Sequence, residues 1–230
     1  VPKRPNIRPD PYQPYKAIDL SSPRDHRVCY VKPSRKKGGD DAPKIHAALK
    51  KCNNGGTVVL DKNYNICSPL DLRFLKHIDI ALTGKIEFCT ELEYWQQNTF
   101  KFHFQDASSW WVLGGKDIHL YGLGKGVIHG NGQAWWDAHA ENKTVHRPLL
   151  FITDGWHGGS ITGLKLRHSP NVSLYICPIY ETLEDHTDND FSGTTSLPTV
   201  LIFSSLISTS SPVPLRQLGL PISMAGLLSA

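Results

Sequence analysis

Three similar phrases recur at intervals of about 40 residues: KHIDIAL at 76–82, KDIHLYGL at 116–123 and GSITGLKL at 159–166. Each alternates apolar and polar residues, the period of a half-buried strand. A unit repeated at a fixed interval points to a solenoid, because one such strand buries too little alone and must stack on its neighbours. The interval fits two coils of roughly 20 residues each. Further short strands are expected at 57–60, 86–88, 110–113 and 149–152. Between 118 and 137, the run IHLYGLGKGVIHGNGQAWWD is cut by Gly122, Gly124, Gly126, Gly130 and Gly132, which predicts short strands separated by tight turns. The pair Trp135 and Trp136 offers more apolar area than such turns can bury, so it must lie against something larger. A β-sandwich made of the same strands stays open as the alternative.

The phrase GVIHGNGQAWWD at 126–137 resembles the G-x-I-D-G-x-G-x-x-W-W-D signature of glycoside hydrolase family 28, the polygalacturonases, with His129 where the family usually has Asp. The likeness runs from about Asp40 to Asn171 and is closest to fungal exo-acting members. It implies a mostly β chain: a right-handed parallel β-helix of the pectin-lyase-like kind, truncated, with one N-terminal capping helix. It also implies a secreted, extracellular, monomeric glycosidase that hydrolyses α-1,4-galacturonic acid linkages of pectin or polygalacturonate with inversion. Attack from a chain end is expected from the exo-acting members. No cofactor and no metal are implied.

Residues 1–27, rich in proline and charge and without periodicity, read as an extended or disordered leader. Residues 28–171 read as the N-terminal coils of the β-helix. Within them 40–52, DDAPKIHAALKKC, is the one convincing helix. Asp41 is the candidate N-cap and Pro43 lies in the first turn; Ile45, Ala48 and Leu49 share a face, and Lys50 and Lys51 sit at the negative end of the dipole. The likeness makes it the cover of the open end of the coils. The aromatic and polar stretch 94–106 reads as a loop on the flank. From Val172 to 230 the cadence of strand and turn disappears. Because Val-Ser is what a GTNAGT splice donor encodes, a retained intron or shifted frame is expected there, with a divergent natural tail as the alternative. The chain begins at Val1 without an apolar leader, which fits a removed signal peptide or a fragment.

Inverting hydrolysis needs one carboxylic acid to protonate the leaving oxygen and one carboxylate to activate water. The family supplies these through N-T-D and D-D, with G-H-G and R-I-K, and none of these motifs occurs in order here. The phrase Thr153-Asp154-Gly155-Trp156 resembles N-T-D-G-W-D, but Ile152 replaces the Asn and His157 the second Asp. No catalytic residue is assigned, and the substrate-binding residues stay unknown. Asp40-Asp41 is a carboxylate pair by sequence and a helix cap by context. The segment HTDND at 186–190 lies in the anomalous tail. Eleven histidines show no metal-ligand spacing, so His119, His129, His139 and His146 read as turn or surface residues. Trp135 and Trp136 read as core packing, with stacking on sugar rings as the alternative.

Five cysteines fit neither a zinc ribbon nor a thioredoxin motif. They favour disulfides: Cys29 with Cys52 first, Cys67 with Cys89 second, and Cys177 without an evident partner. Asn142 opens an N-glycosylation acceptor with Lys143 and Thr144. The net charge of +4 and the basic loop Arg35, Lys36, Lys37 suit a polyanion and equally a solvated surface. No nucleic-acid module and no apolar run long enough for a membrane span are present. A chain without the catalytic Asp motifs is also readable as a non-catalytic carbohydrate-binding β-helix fragment or an inactive mis-spliced product.

Overall fold

The computed structural model describes residues 1–5, 24–36, 38–102 and 106–171, with the backbone of three further strands at 175–176, 202–203 and 208–209. Most of the leader, Lys37, Cys177, the HTDND segment and the greater part of the tail lie outside these residues. The described chain winds into a right-handed parallel β-helix with three walls.

The first wall stacks β1 (Val28–Tyr30), β2 (Thr57–Leu60), the end of β4 (Leu70–Leu82), the middle of β8 (Trp111–His129) and part of β9 (Ile152–Arg167). Its register runs from Val28 to Thr57, Thr57 to Asp79, Asp79 to His119, and His119 to Ser160. The second wall stacks β3 (Asn63–Ile66), β5 (Lys85–Phe88) and the ends of β8 and β9, with Lys85 beside Val127 and Val127 beside Lys165. In the third wall the starts of β4, β8 and β9 place Leu70 beside Trp111 and Leu113 beside Thr153. Short strands β10 (Tyr175–Ile176), β11 (Ile202–Phe203) and β12 (Ser208–Thr209) add parallel pairs to β9.

This register corrects the reading of the repeat. Asp79 lies in register beside His119 and His119 beside Ser160 on adjacent parallel strands, so each interval of about 40 residues holds one coil, not two. Among the described residues only the coil from Thr57 to Asp79 is of the short kind. The surplus leaves the coil at the corner between the second and third walls. There the chain forms α2 (Leu92–Asn98) with the antiparallel hairpin of β6 (Phe100–Lys101) and β7 (Ser108–Ser109), and one coil later α3 (Gly132–Glu141). Strand periodicity counts residues and is blind to a detour that adds no rung. The same blindness read α2 as loop and the start of α3 as turns.

Alternate side chains point inward and stack in columns: Val58, Ile80, Leu120, Ile161; and Ile86, Ile128, Leu166. All are buried, and each contributes about 1.5–3 kcal/mol relative to an exposed side chain. Close stacking leaves no room where backbones meet. At Gly159, with φ +116°, a Cβ would lie 1.8 Å from the Ile118 carbonyl oxygen, so only glycine fits.

Helix α1 (Ala42–Cys52) closes the start of the stack, its Ile45 and Leu49 lining one apolar cavity with Leu60, Leu72 and Ile80. Asp41 does not cap it with its side chain, because its own backbone is already helical at φ −104°, ψ −5°. Its carboxylate instead accepts from the backbone N–H groups of Ser34 and Asn65, while Asp40 accepts from Ala42 at 3.0 Å and Cys67 at 2.9 Å. The two carboxylates therefore fasten the helix to the first coils. Cys29 is bonded to Cys52, joining β1 to α1 with Cα atoms 6.1 Å apart, and Cys67 is bonded to Cys89 across consecutive coils.

Candidate functional site

The outer side of each wall carries a polar set, and the surroundings of each set decide what it can do. On the third wall Arg73 sits between two carboxylates. Its guanidinium donates to Asp71 at 2.6 and 3.0 Å and to Asp154 at 3.1 Å. It crosses the intervening coil over Gly114, where a Cβ would meet the Asp154 carbonyl oxygen at 1.8 Å and Arg73 Cγ at 3.2 Å. The hydrogen bond from Arg73 holds the Asp71 carboxyl below the usual carboxylate range, and the hydrogen bond to Asp71 in turn raises the guanidinium. A carboxyl held ionised in this way is a poor proton donor. Inverting hydrolysis needs two carboxyl groups with opposite tasks and room for water between them; here one cation binds both. Asp154 is thus a member of a charge clamp.

Beside this clamp the outer side of the third wall is roofed. Phe100, Phe102 and Ala107 of the hairpin region pack on Val112, Leu149 and Ile152, which face outward. Hydrogen bonds from Phe102 to Ala107 (2.9 Å) and from Leu149 to Ser108 (2.7 Å) hold the roof in place. In the main core, Trp95, Trp110 and Trp135 are fully buried, with ring centroids of successive pairs about 6 Å apart in edge-to-face contacts. Trp135 therefore belongs to the core and has no face for a sugar. Gln96 on α2 and His146 in the loop after α3 exchange hydrogen bonds, so the two detours interlock.

Pro2, Arg4 and Arg24 of the N-terminal segment lie on the first wall. Tyr121 donates to the Pro2 carbonyl at 3.1 Å, and Arg4 pairs with Asp79. Arg24 donates to Asp79 at 2.8 Å and Asp117 at 2.7 Å, and Asp117 also meets His77 and His119. Burial alone would raise the Asp117 carboxyl; the hydrogen bonds from His119, Arg24 and His77 outweigh it and hold the pKa far below normal. This cluster escaped the sequence reading although a signal was present. Written in register, the repeated phrases place Asp79, His119 and Ser160 in one column and put His77 and Asp117, both with positive φ, one residue before the paired Ile78 and Ile118.

The second wall carries Lys85, Glu87, His129, Lys165 and Arg167 in two rows. His129 stacks on His168 at 4.6 Å and His168 on Trp136 at 6.1 Å. Burial, then the nearby Lys85, lowers the His129 pKa. Of the remaining residues singled out, Arg35 and Lys36 are exposed on the loop before α1. Asn142 is exposed at the end of α3, its Oδ1 accepting from Thr144 N at 3.0 Å and Thr144 Oγ1 at 2.8 Å. Among the described residues no group of three His, Cys, Asp or Glu is arranged to hold a metal ion, and no helix is long and apolar enough to cross a membrane.

Stacked parallel coils with one capped end, a roofed wall and side detours at one corner define a right-handed parallel β-helix protein. The chain belongs to Glycosyl hydrolases family 28, whose pattern residues 69–183 match. It is 75% identical over 175 residues to Exopolygalacturonase X-2 of Emericella nidulans, covering 76% of this chain and 39% of that protein. It is 45% identical over 180 residues to a probable exopolygalacturonase X of Aspergillus flavus, covering 77% and 41%. The crystal structure of endo-xylogalacturonan hydrolase from Aspergillus tubingensis superposes with a TM-score of 0.57 at 32% identity, over 65% of this chain and 39% of that one. The chain spans about two fifths of the length of the curated relatives it matches.

Proposed function

We propose that this chain forms the capped, upstream part of a secreted pectin-degrading glycosidase that hydrolyses α-1,4-galacturonic acid linkages with inversion and attacks a chain end. The observation that carries the chain-end reading is the hairpin roof of Phe100, Phe102 and Ala107 over the outer third wall. A polymer lying along that wall in further coils would meet a closed end at the roof. A groove closed on one side admits a terminus and excludes the middle of a chain.

The clamp of Asp71, Arg73 and Asp154 supports a second part of the proposal: residues 1–230 alone do not hydrolyse polygalacturonate, and the carboxylate pair belongs to coils that this sequence does not encode. In that state the chain is a non-catalytic pectin-binding fragment or an inactive product. Incubating the 230-residue chain with polygalacturonate is expected to release no reducing ends; turnover that Asp154→Asn abolishes would refute this. Sequencing the mature message across the codons of Asn171 to Ser173 shows whether splicing continues the coils. The Asx turn that presents Asn142 to Thr144 supports glycosylation of Asn142 in a secreted, monomeric product. Its expected sign is a mass shift lost in Asn142→Gln.

A further inference from the structure

Of the three walls, two carry other parts of the described chain: Pro2, Arg4 and Arg24 lie on the first and the hairpin on the third. The second wall is left half-exposed, and its composition is cationic. Parallel coils repeat at about 4.8 Å, so the rows Lys85, Val127, Lys165 and Glu87, His129, Arg167 run along the axis of the stack. At the start of the rows the charges are paired: Lys85 with Glu87 at 2.7 Å, and Glu87 3.8 Å from His129. Two coils on they are not. Lys165 and Arg167 point to the same side of β9, two residues apart, and neither has an ion pair or side-chain hydrogen bond among the described residues.

An aromatic platform adjoins these cations. His168, exposed and held at φ 48°, is stacked between His129 and Trp136. Trp136 is fixed by its indole N–H, which lies 3.1 Å from the Pro170 carbonyl oxygen and 3.2 Å from that of Ser169, and it remains partly exposed. A tethered indole beside unpaired cations presents an apolar surface for the C–H face of a sugar and positive charge for its carboxylate.

We propose that the second wall is an auxiliary binding surface for a linear polyuronate, with Lys165 and Arg167 receiving carboxylates and Trp136 with His168 receiving a sugar ring. This surface lies away from the roofed third wall, and it would hold the polymer near the molecule without taking part in cleavage. The choice of a uronate polymer rests on the proposed function; the location of the surface rests on the structure.

The test is affinity electrophoresis of the 230-residue chain through gels containing polygalacturonate, fully methyl-esterified pectin or dextran sulfate. Lys165→Glu with Arg167→Glu is expected to weaken retention by polygalacturonate at least ~10-fold, the loss of two charge-assisted contacts. Arg35→Glu with Lys36→Glu, an equal charge change on the loop before α1, is expected to stay within ~2-fold, a screened long-range effect. Trp136→Leu should weaken polygalacturonate retention and leave dextran sulfate unchanged. Milder Lys165→Gln with Arg167→Gln, checked by circular dichroism, guards against misfolding. Equal losses in both charge-reversed pairs would show diffuse basicity and overturn the proposal, as would equal retention by all three polymers. Wild-type chain that ignores polygalacturonate altogether would refute the substrate class, whereas wild-type retention untouched by the second-wall variants would refute the surface alone.

Discussion

Asp117 shows how a single side chain secures a segment distant in sequence. Its folded pKa is held below the unfolded value of about 3.9. A carboxyl of this kind contributes stability that is fully present above the unfolded value and is lost as the pH falls through it towards the folded one. The urea midpoint is therefore expected to fall on acidification from about pH 5 towards pH 2. Asp117→Asn should be less stable at neutral pH and show a flatter acid slope; a variant as steep as the wild type would refute the assignment. Inward residues such as Ile80 and Leu120 were legible because alternation reports which side of a strand is dry. Asp117 was not, because its partners His77 and Arg24 lie 40 and 93 residues away. Composition carries no trace of such a meeting until the coils are aligned.

At the scale of elements, α1 was readable from its apolar face, its proline and its basic last turn, all local properties. The use of Asp41 was not, because the N–H groups it serves belong to Ser34 and Asn65, outside the helix. Helix α3 was hidden by its glycines and tryptophans: Gly132 begins it and Trp135 is its anchor in the core. The bond between Cys29 and Cys52, 23 residues apart, ties α1 to the first strand. A loop of that length constrains the unfolded chain by about 3 kcal/mol. The pair Cys29→Ala with Cys52→Ala is expected to lower stability by about that amount, read as a fall in denaturant midpoint. An unchanged midpoint would mean that packing alone holds the cap.

For the whole molecule, the fold class was legible from the repeated phrases and the family likeness, while the number of coils was not, since detours and rungs look alike in a residue count. The candidate site was the less legible part. Asp154 drew attention by its phrase, yet its neighbour Arg73, 81 residues earlier, determines its role. The distinction between detour and rung can be tested by insertion. About eight Gly/Ser residues placed between Thr144 and Val145 lengthen a detour and should cost under ~1 kcal/mol, because closure entropy grows slowly with loop length. One alanine between Leu120 and Tyr121 lies in a rung, turns the following side chains to the wrong face, and should prevent folding; equal effects of the two insertions would refute this division of the chain.

The detours at one corner have a geometric consequence. The 22-residue step from Thr57 to Asp79 and the 40-residue step from Asp79 to His119 each advance the stack by one strand spacing. Sequence length is therefore no ruler for this rod: residues added at that corner widen its cross-section, and only a new rung makes it longer.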